Sequence, residues 1–338
     1  DKNILVLLSL VVLASGCSHT ATTGATGPTS SVSIQNFSAF PGQVFNGQQV
    51  RLQMTLKNEG EATAKNVRAR LFNVPFSGAN NWKLAGSRSV DFGSLEPANP
   101  EKNLPARPST QSWSMNAPEL DNGVTIPYQF ISKIYYGYKT SGTTSITLIS
   151  QERYRDKGSG ASRPTLQNSA GPIQMEVRTR SPIVFYEDSG SQRNTEMCVI
   201  VRNEGQGTPF LHQKALSGGS YDVSEDISNS VKLRIQDQGR IDFKPPSDSK
   251  VGTNTARVEL FGNRGISCFQ IKVDGWGEGV GPQEEVPVVL EAIYGYTKET
   301  STSVTVKGRD TGGSTNDGGG SNGGNGGSSS GGPPEPPS

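Results

Sequence analysis

The stretch Val50–Phe72, VRLQMTLKNEGEATAKNVRARLF, sets the fold through its alternation. Val50, Leu52, Met54 and Leu56 alternate with Arg51, Gln53, Thr55 and Lys57. After Asn58-Glu59-Gly60 and a run of small residues, Val67, Ala69 and Leu71 alternate again with Arg68 and Arg70. An apolar period of two is the signature of a strand with one face buried and one in water. Asn58 can hydrogen-bond its own backbone two residues on, and Gly60 can take a positive φ, so the pair closes a turn between two strands.

Working outward, the chain repeats itself. LKNEG at 56–60 matches VRNEG at 201–205, an offset of 145. IYYGYKTSGTTSITL (Ile134–Leu148) matches AIYGYTKETSTSVTV (Ala292–Val306), with Tyr136-Gly137-Tyr138 on Tyr294-Gly295-Tyr296 at an offset of 158. Val90-Asp91-Phe92 and Ile241-Asp242-Phe243 lie between, at an offset of 151. An offset that grows in one direction marks a duplicated domain with lengthening loops. The expected strands in the first copy are 32–38, 50–57, 66–73, 89–92, 110–116, 126–138 and 143–150. In the second they are 173–180 with 183–186, 196–202, 231–236, 240–243, 255–261, 266–273, 286–296 and 301–307. Half-buried strands of this number stack as two sheets, so the sequence predicts an all-β chain of two tandem immunoglobulin- or fibronectin-like sandwiches. Their bounds are 31–155 and 172–309, joined by a Gly-, Ser- and Pro-rich linker at 156–171.

The ends differ in kind. Lys2 precedes an apolar run, Ile4–Ala14, too short to cross a bilayer and suited to a signal-peptide core. Ala14-Ser15-Gly16-Cys17 then resembles the lipobox of bacterial and archaeal lipoproteins, with Ala14 standing where that motif usually has Leu. That resemblance implies cleavage before Cys17, a lipid on its thiol and a membrane anchor on the outer face of the cell. The segment 18–30 reads as a flexible stalk, and 310–338 as a Gly/Ser/Pro-rich tail. Among the 338 residues, 32 basic side chains nearly balance 31 acidic ones, with no basic run, which argues against a nucleic-acid partner.

The layout of Leu56–Phe72, an alternating strand, Asn-x-Gly, small residues and a second strand, resembles the cell-adhesion-related CARDB domain of bacteria and archaea. VRNEGQGTPF, with Asn203, Gly205 and Gly207, resembles its Asn-x-Gly-x-Gly variant. The resemblance implies extracellular modules without catalysis, used in adhesion, spacing or envelope architecture. It brings no catalytic residue, cofactor or metal. Asn58, Gly60, Asn203 and Gly205 are expected to build turns.

Candidate chemistry is sparse. The histidines are His19, in the stalk, and His212, in a loop with no nucleophile motif beside it. Gly275–Gly281 lacks the spacing of a phosphate loop, and no calcium-loop pattern occurs. Glu284-Glu285 and Glu225-Asp226 could serve glycoside hydrolysis only if opposed across a cleft. Trp113 alternates with Met115 and is expected in the core, whereas Trp82 and Trp276 fall in loops. Exposed indoles stack on sugars, so an alternative reading is a carbohydrate- or peptide-binding lipoprotein working through Trp82 and Trp276. Asn36-Phe37-Ser38 is a single glycosylation triplet. Partners would be the membrane, through the lipid, and other surface proteins or glycans.

Two cysteines remain. Aligning the repeats puts Met197, Val199 and Val201 on a core face, so Cys198 points outward. Phe269, Ile271 and Val273 do the same for Cys268. In a fibronectin-type order these strands are antiparallel neighbours, and the sequence predicts a Cys198–Cys268 bridge on the outer surface of the sheet. A register slip would leave two free thiols instead.

Overall fold

A computed structural model describes residues 29–309, except 74, 77–80, 158–162, 186–194, 212–226, 237–240 and 274–281. The expected signal helix, stalk and tail therefore lie outside the described residues. The first repeat contributes β1 (Val32–Phe40), β2 (Gln43–Phe45), β3 (Gln49–Asn58), β4 (Ala64–Phe72), β5 (Lys83–Ala85), β6 (Ser89–Leu95), β7 (Ser109–Asn116) and β8 (Thr125–Ser150). A short helix α1 (Gln151–Lys157) follows, then β9 (Gln167–Asn168), β10 (Ile173–Arg178), β11 (Ile183–Phe185), β12 (Thr195–Asn203), β13 (Thr208–Leu211) and β14 (Ile227–Ser228). The chain closes with β15 (Ser230–Ile235), β16 (Ile241–Lys244), β17 (Lys250–Gly252), β18 (Thr255–Glu259), β19 (Arg264–Val273) and β20 (Gln283–Lys307).

Each repeat builds one private sheet. In the first the order is β1-β3-β7-β5, and in the second β10-β12-β19-β16. The alternation of Val50–Leu56 places four fully buried side chains on the inner face of β3, and Trp113 and Met115 of β7 join them. Both private sheets face a single shared sheet of twelve strands, whose path runs β17-β18-β15-β20-β8-β4-β6. The inner faces form one continuous apolar core that takes side chains from both repeats.

The shared sheet corrects the strand list. Segments 126–138 and 143–150 are one strand, β8, and 286–296 and 301–307 are one strand, β20. The two run antiparallel, in unbroken register from Gln283↔Ile149 to Lys307↔Thr125. The last strand of each repeat therefore does not fold back on its own predecessor. Residues 143–150 cross into the second repeat, pairing with Gln283–Val289 and, in parallel, with β11. Residues 301–307 cross into the first, pairing with Thr125–Ile131 and, in parallel, with β2. Each sandwich is completed by a strand of the other, a domain swap inside one chain.

The physical reason lies in the two hinges. A tight hairpin wants residues that accept positive φ, typically Asn-Gly or Asp-Gly. Lys139-Thr140-Ser141-Gly142 has its glycine last, and Thr297-Lys298-Glu299-Thr300 has no glycine, asparagine, aspartate or proline. β-Branched threonines favour an extended backbone there. The hinges stay extended, and the strands run on.

Of the linker's described residues, the first two close α1 (Gln151–Lys157), and β9 pairs with Gly142 and Thr143. Strand exchange makes a direct prediction. Proteolytic nicking within 158–162 should leave the two halves co-eluting as one particle under native conditions, separating only in denaturant. Halves that part as two folded monomers would contradict the exchange.

Candidate functional site

The exchange brings the two Tyr-Gly-Tyr motifs face to face. In the β8–β20 register Tyr136 pairs with Tyr296, Gly137 with Gly295 and Tyr138 with Tyr294. All four phenol rings point into the core and are nearly inaccessible to solvent. They form a closed ring of contacts, with centroid distances of 6.1 Å (Tyr136–Tyr138), 6.2 Å (Tyr138–Tyr294), 6.1 Å (Tyr294–Tyr296) and 5.9 Å (Tyr296–Tyr136). Tilted and edge-on aromatic pairs at such distances contribute about 0.5–1.5 kcal/mol each beyond burial.

A buried phenol needs a partner for its hydroxyl. Tyr296 donates to Asn203 Oδ1 (2.9 Å) and accepts from the Gly207 N–H (2.9 Å). Tyr138 accepts from the Ala62 N–H (3.2 Å) and donates to the Ala170 carbonyl (3.3 Å). Tyr136 bonds the Ser31 hydroxyl at 2.9 Å, and Tyr294 bonds the Thr140 hydroxyl at 2.8 Å. Burial pushes the Tyr136 and Tyr294 phenols well above their ordinary range, and pushes Tyr296 up to about 12. The hydroxyls therefore stay protonated and remain donors.

This centre explains the Asn-x-Gly turns. Asn58 Nδ2 donates to the Ala62 and Leu95 carbonyls, both at 2.8 Å, while its Oδ1 accepts from the Gly60 N–H at 3.1 Å. Asn203 repeats the pattern with the Gly207 carbonyl (2.8 Å) and the Gly205 N–H (3.2 Å). The glycines do not serve the purpose expected of them. Neither Gly60 nor Gly205 has a positive φ; a Cβ on Gly60 would overlap the Tyr138 hydroxyl, and one on Gly205 the Tyr296 hydroxyl. Glycine is required there because a tyrosine docks against its backbone.

A charged group lies on the opposite, outer face of the same two strands. Glu291, almost fully buried, accepts from Lys139 Nζ and Arg234 Nε, both at 2.9 Å, and is paired with the Arg234 Nη2. Burial pushes its carboxyl up, but the hydrogen bonds and charges of Lys139 and Arg234 outweigh that and hold it below the usual range. Lys139 belongs to the first hinge, so this ion pair also joins the repeats. Lys298, in the second hinge, donates to the Val32 carbonyl at 2.7 Å.

The other predicted residues fall out as follows. Cys198 and Cys268 are direct cross-strand partners of β12 and β19 and form a disulfide, with an S–S distance of 2.07 Å. Among the described residues, the one cluster of potential metal donors is Glu196 with these two sulfurs, which the disulfide already consumes. Trp82 corrects the expectation of a sugar-stacking loop. It is 1% exposed, packed edge-on against Phe130 (5.0 Å) and Tyr128 (5.5 Å). Cys17, Trp276, His19, His212 and Glu225-Asp226 lie outside the described residues. Glu284 and Glu285 are consecutive on β20 and point to opposite faces of the sheet, so they cannot oppose each other across a cleft. Neither Tyr-Gly-Tyr motif marks a site by itself; the signal is its repetition in both copies of the duplicated unit.

No family model matches the chain, and no curated protein matches it. Among solved structures, the CupB6 tip adhesin of Pseudomonas aeruginosa aligns at 8% identity over 83% of this chain and 97% of its own, with a TM-score of 0.17. The collagen adhesin CNA of S. aureus aligns at 9% identity over 85% and 96%, with a TM-score of 0.11. The Pseudomonas fluorescens DNA glycosylase AlkC aligns at 15% identity over 33% of this chain and 28% of its own, with a TM-score of 0.19. At these scores none of the three carries an argument about function.

A test of the centre follows from the glycines. Gly60→Ala should destabilise the protein by about 3 kcal/mol, because a methyl must displace the Tyr138 hydroxyl from its buried partners. Gly42→Ala, with open space around its Cα, should fall within about 0.5 kcal/mol of wild type in the same urea titration.

Proposed function

We propose that the chain is a non-catalytic cell-surface protein in which two CARDB-like sandwiches act as one rigid spacer or adhesive body. Cys17, lipidated, tethers it to the membrane, the stalk 18–30 sets its distance, and its outer faces meet other surface proteins or glycans. The observation that supports this most is the exchange of last strands. It converts two modules that would flex about a linker into one body with a shared core, a property a spacer needs. The four tyrosine rings meet across the β8–β20 seam in the core, and the Glu291 ion pair joins the repeats on the outer face of the same strands. Burial of Trp82 removes one of the two indoles on which the carbohydrate-binding alternative depends. No helix among the described residues is long and apolar enough to cross a membrane.

Protease treatment of intact cells tests this. A cut in the stalk should release the folded body, and the peptide left in the membrane fraction should begin at a lipid-modified Cys17. Protein protected inside the cell, or an unmodified Cys17 in a soluble fraction, would overturn the proposal.

A further inference from the structure

Strand exchange decides where the chain leaves the folded body. The final strand of the second repeat lies in the first, so Lys307 pairs with Phe45 and Thr125. Just beyond it, the Gly308 N–H donates to the Val124 carbonyl at 2.7 Å, and Asn46 Nδ2 donates to the Arg309 carbonyl at 3.5 Å. The chain also enters through the first repeat, where Ser31 bonds Tyr136 and β1 begins at Val32. Both ends of the described body thus belong to repeat one, although repeat two separates them in sequence.

We propose that repeat one is the load-bearing link between the two ends of the chain, and that repeat two hangs outside the line of force. The idea deepens the reading of a surface spacer and rests on it for biological purpose. Its mechanical content is independent of any anchor. β2 runs parallel to the end of β20, through Gln43↔Thr305, Val44↔Val306 and Phe45↔Lys307. Tension enters β2 at its N-terminal end and leaves β20 at its C-terminal end. For parallel neighbours those ends point in opposite directions, so the load shears the pair and stretches all its hydrogen bonds together. β1 precedes β2 in the line of pull and is held antiparallel to β3, across a register running from Val32↔Asn58 to Phe40↔Arg51.

The contacts at the clamp fit this role. The Thr305 N–H donates to the Gly42 carbonyl at 3.0 Å. Val44 and Val306 are buried behind the pair, and Asn46 is pinned from the side by the Leu120 carbonyl (2.8 Å) and N–H (3.0 Å). Repeat two has the opposite geometry. The chain enters it near Thr140 and leaves it near Tyr296, close together on the antiparallel pair β8–β20. Pulled there, the pair opens one rung at a time. Once the clamp yields, repeat two offers less resistance than the clamp did, and the whole body comes apart in one event.

Single-molecule stretching of the full chain, held by its two ends, tests this. The expected record is one rupture, releasing the folded span from Val32 to Lys307 less the 70-residue separation closed by the disulfide. Reduction of Cys198–Cys268 should lengthen that same step by the closed loop. Thr305→Pro removes the donor to Gly42 while its side chain faces away from the core, and should lower the rupture force at unchanged step length. Two successive ruptures, each the length of one repeat, would mean that load passes through the repeats in series and would overturn the proposal. The wild-type step count decides even if the proline variant fails to fold. Loss of lipidation at Cys17, which would sink the surface-anchor reading, leaves this measurement unchanged.

Discussion

The short length of β8 against β20 at which the Tyr-Gly-Tyr motifs meet governs the rest of the molecule. A strand folded back on its own repeat, or given to the other repeat, makes the same number of ladder bonds within each sandwich. The two arrangements differ only at the hinges. Folded back, each hinge must be a tight turn; exchanged, the hinges become strand, and Tyr136–Lys139 pairs with Ile293–Tyr296. The exchanged form thus gains several rungs, a ring of four aromatic contacts and the bonds of Lys139 to Glu291 and Lys298 to Val32. Because both partners sit on one chain, their effective concentration is high and the exchange carries little entropic cost.

Much of the architecture was legible in the residues. Alternation at Val50–Leu56 and Val67–Leu71 named strands and inner faces, because a half-buried strand must present one face to a core. The same parity argument turned Cys198 and Cys268 outward, where the structure joins them. Composition suggests a break in β8 and β20 that the structure does not have, because polar residues such as Lys139-Thr140-Ser141 look like a turn. Turn chemistry is more specific than polarity: without a residue that favours positive φ, a polar run on a sheet surface is still a strand. Trp82 looks exposed in the sequence for a related reason. Its neighbours Asn80, Asn81 and Lys83 are polar, yet Phe130 and Tyr128, far along the chain, supply the pocket. Long-range packing of that kind leaves no local trace.

The tyrosines show how a duplicated motif acquires a role that neither copy has alone. Within its own repeat, each Asn-x-Gly turn receives one hydroxyl, Tyr138 at Gly60 and Tyr296 at Gly205, which is a local matter of closing a sandwich. Placed back to back by the exchange, the same side chains become the joint between repeats. A body joined in this way holds the two repeats together without a flexible linker in series.

Exchange itself is tested most directly by placing a covalent bond where only exchanged strands meet. Thr147 and Glu285 are direct partners across β8 and β20, and neither is buried. With Thr147→Cys and Glu285→Cys together, mild oxidation should join the two positions within a monomer, and peptide mapping should recover the 147–285 crosslink in nearly every molecule. Two free thiols at those positions in a folded monomer would contradict the exchange, and with it the shared core.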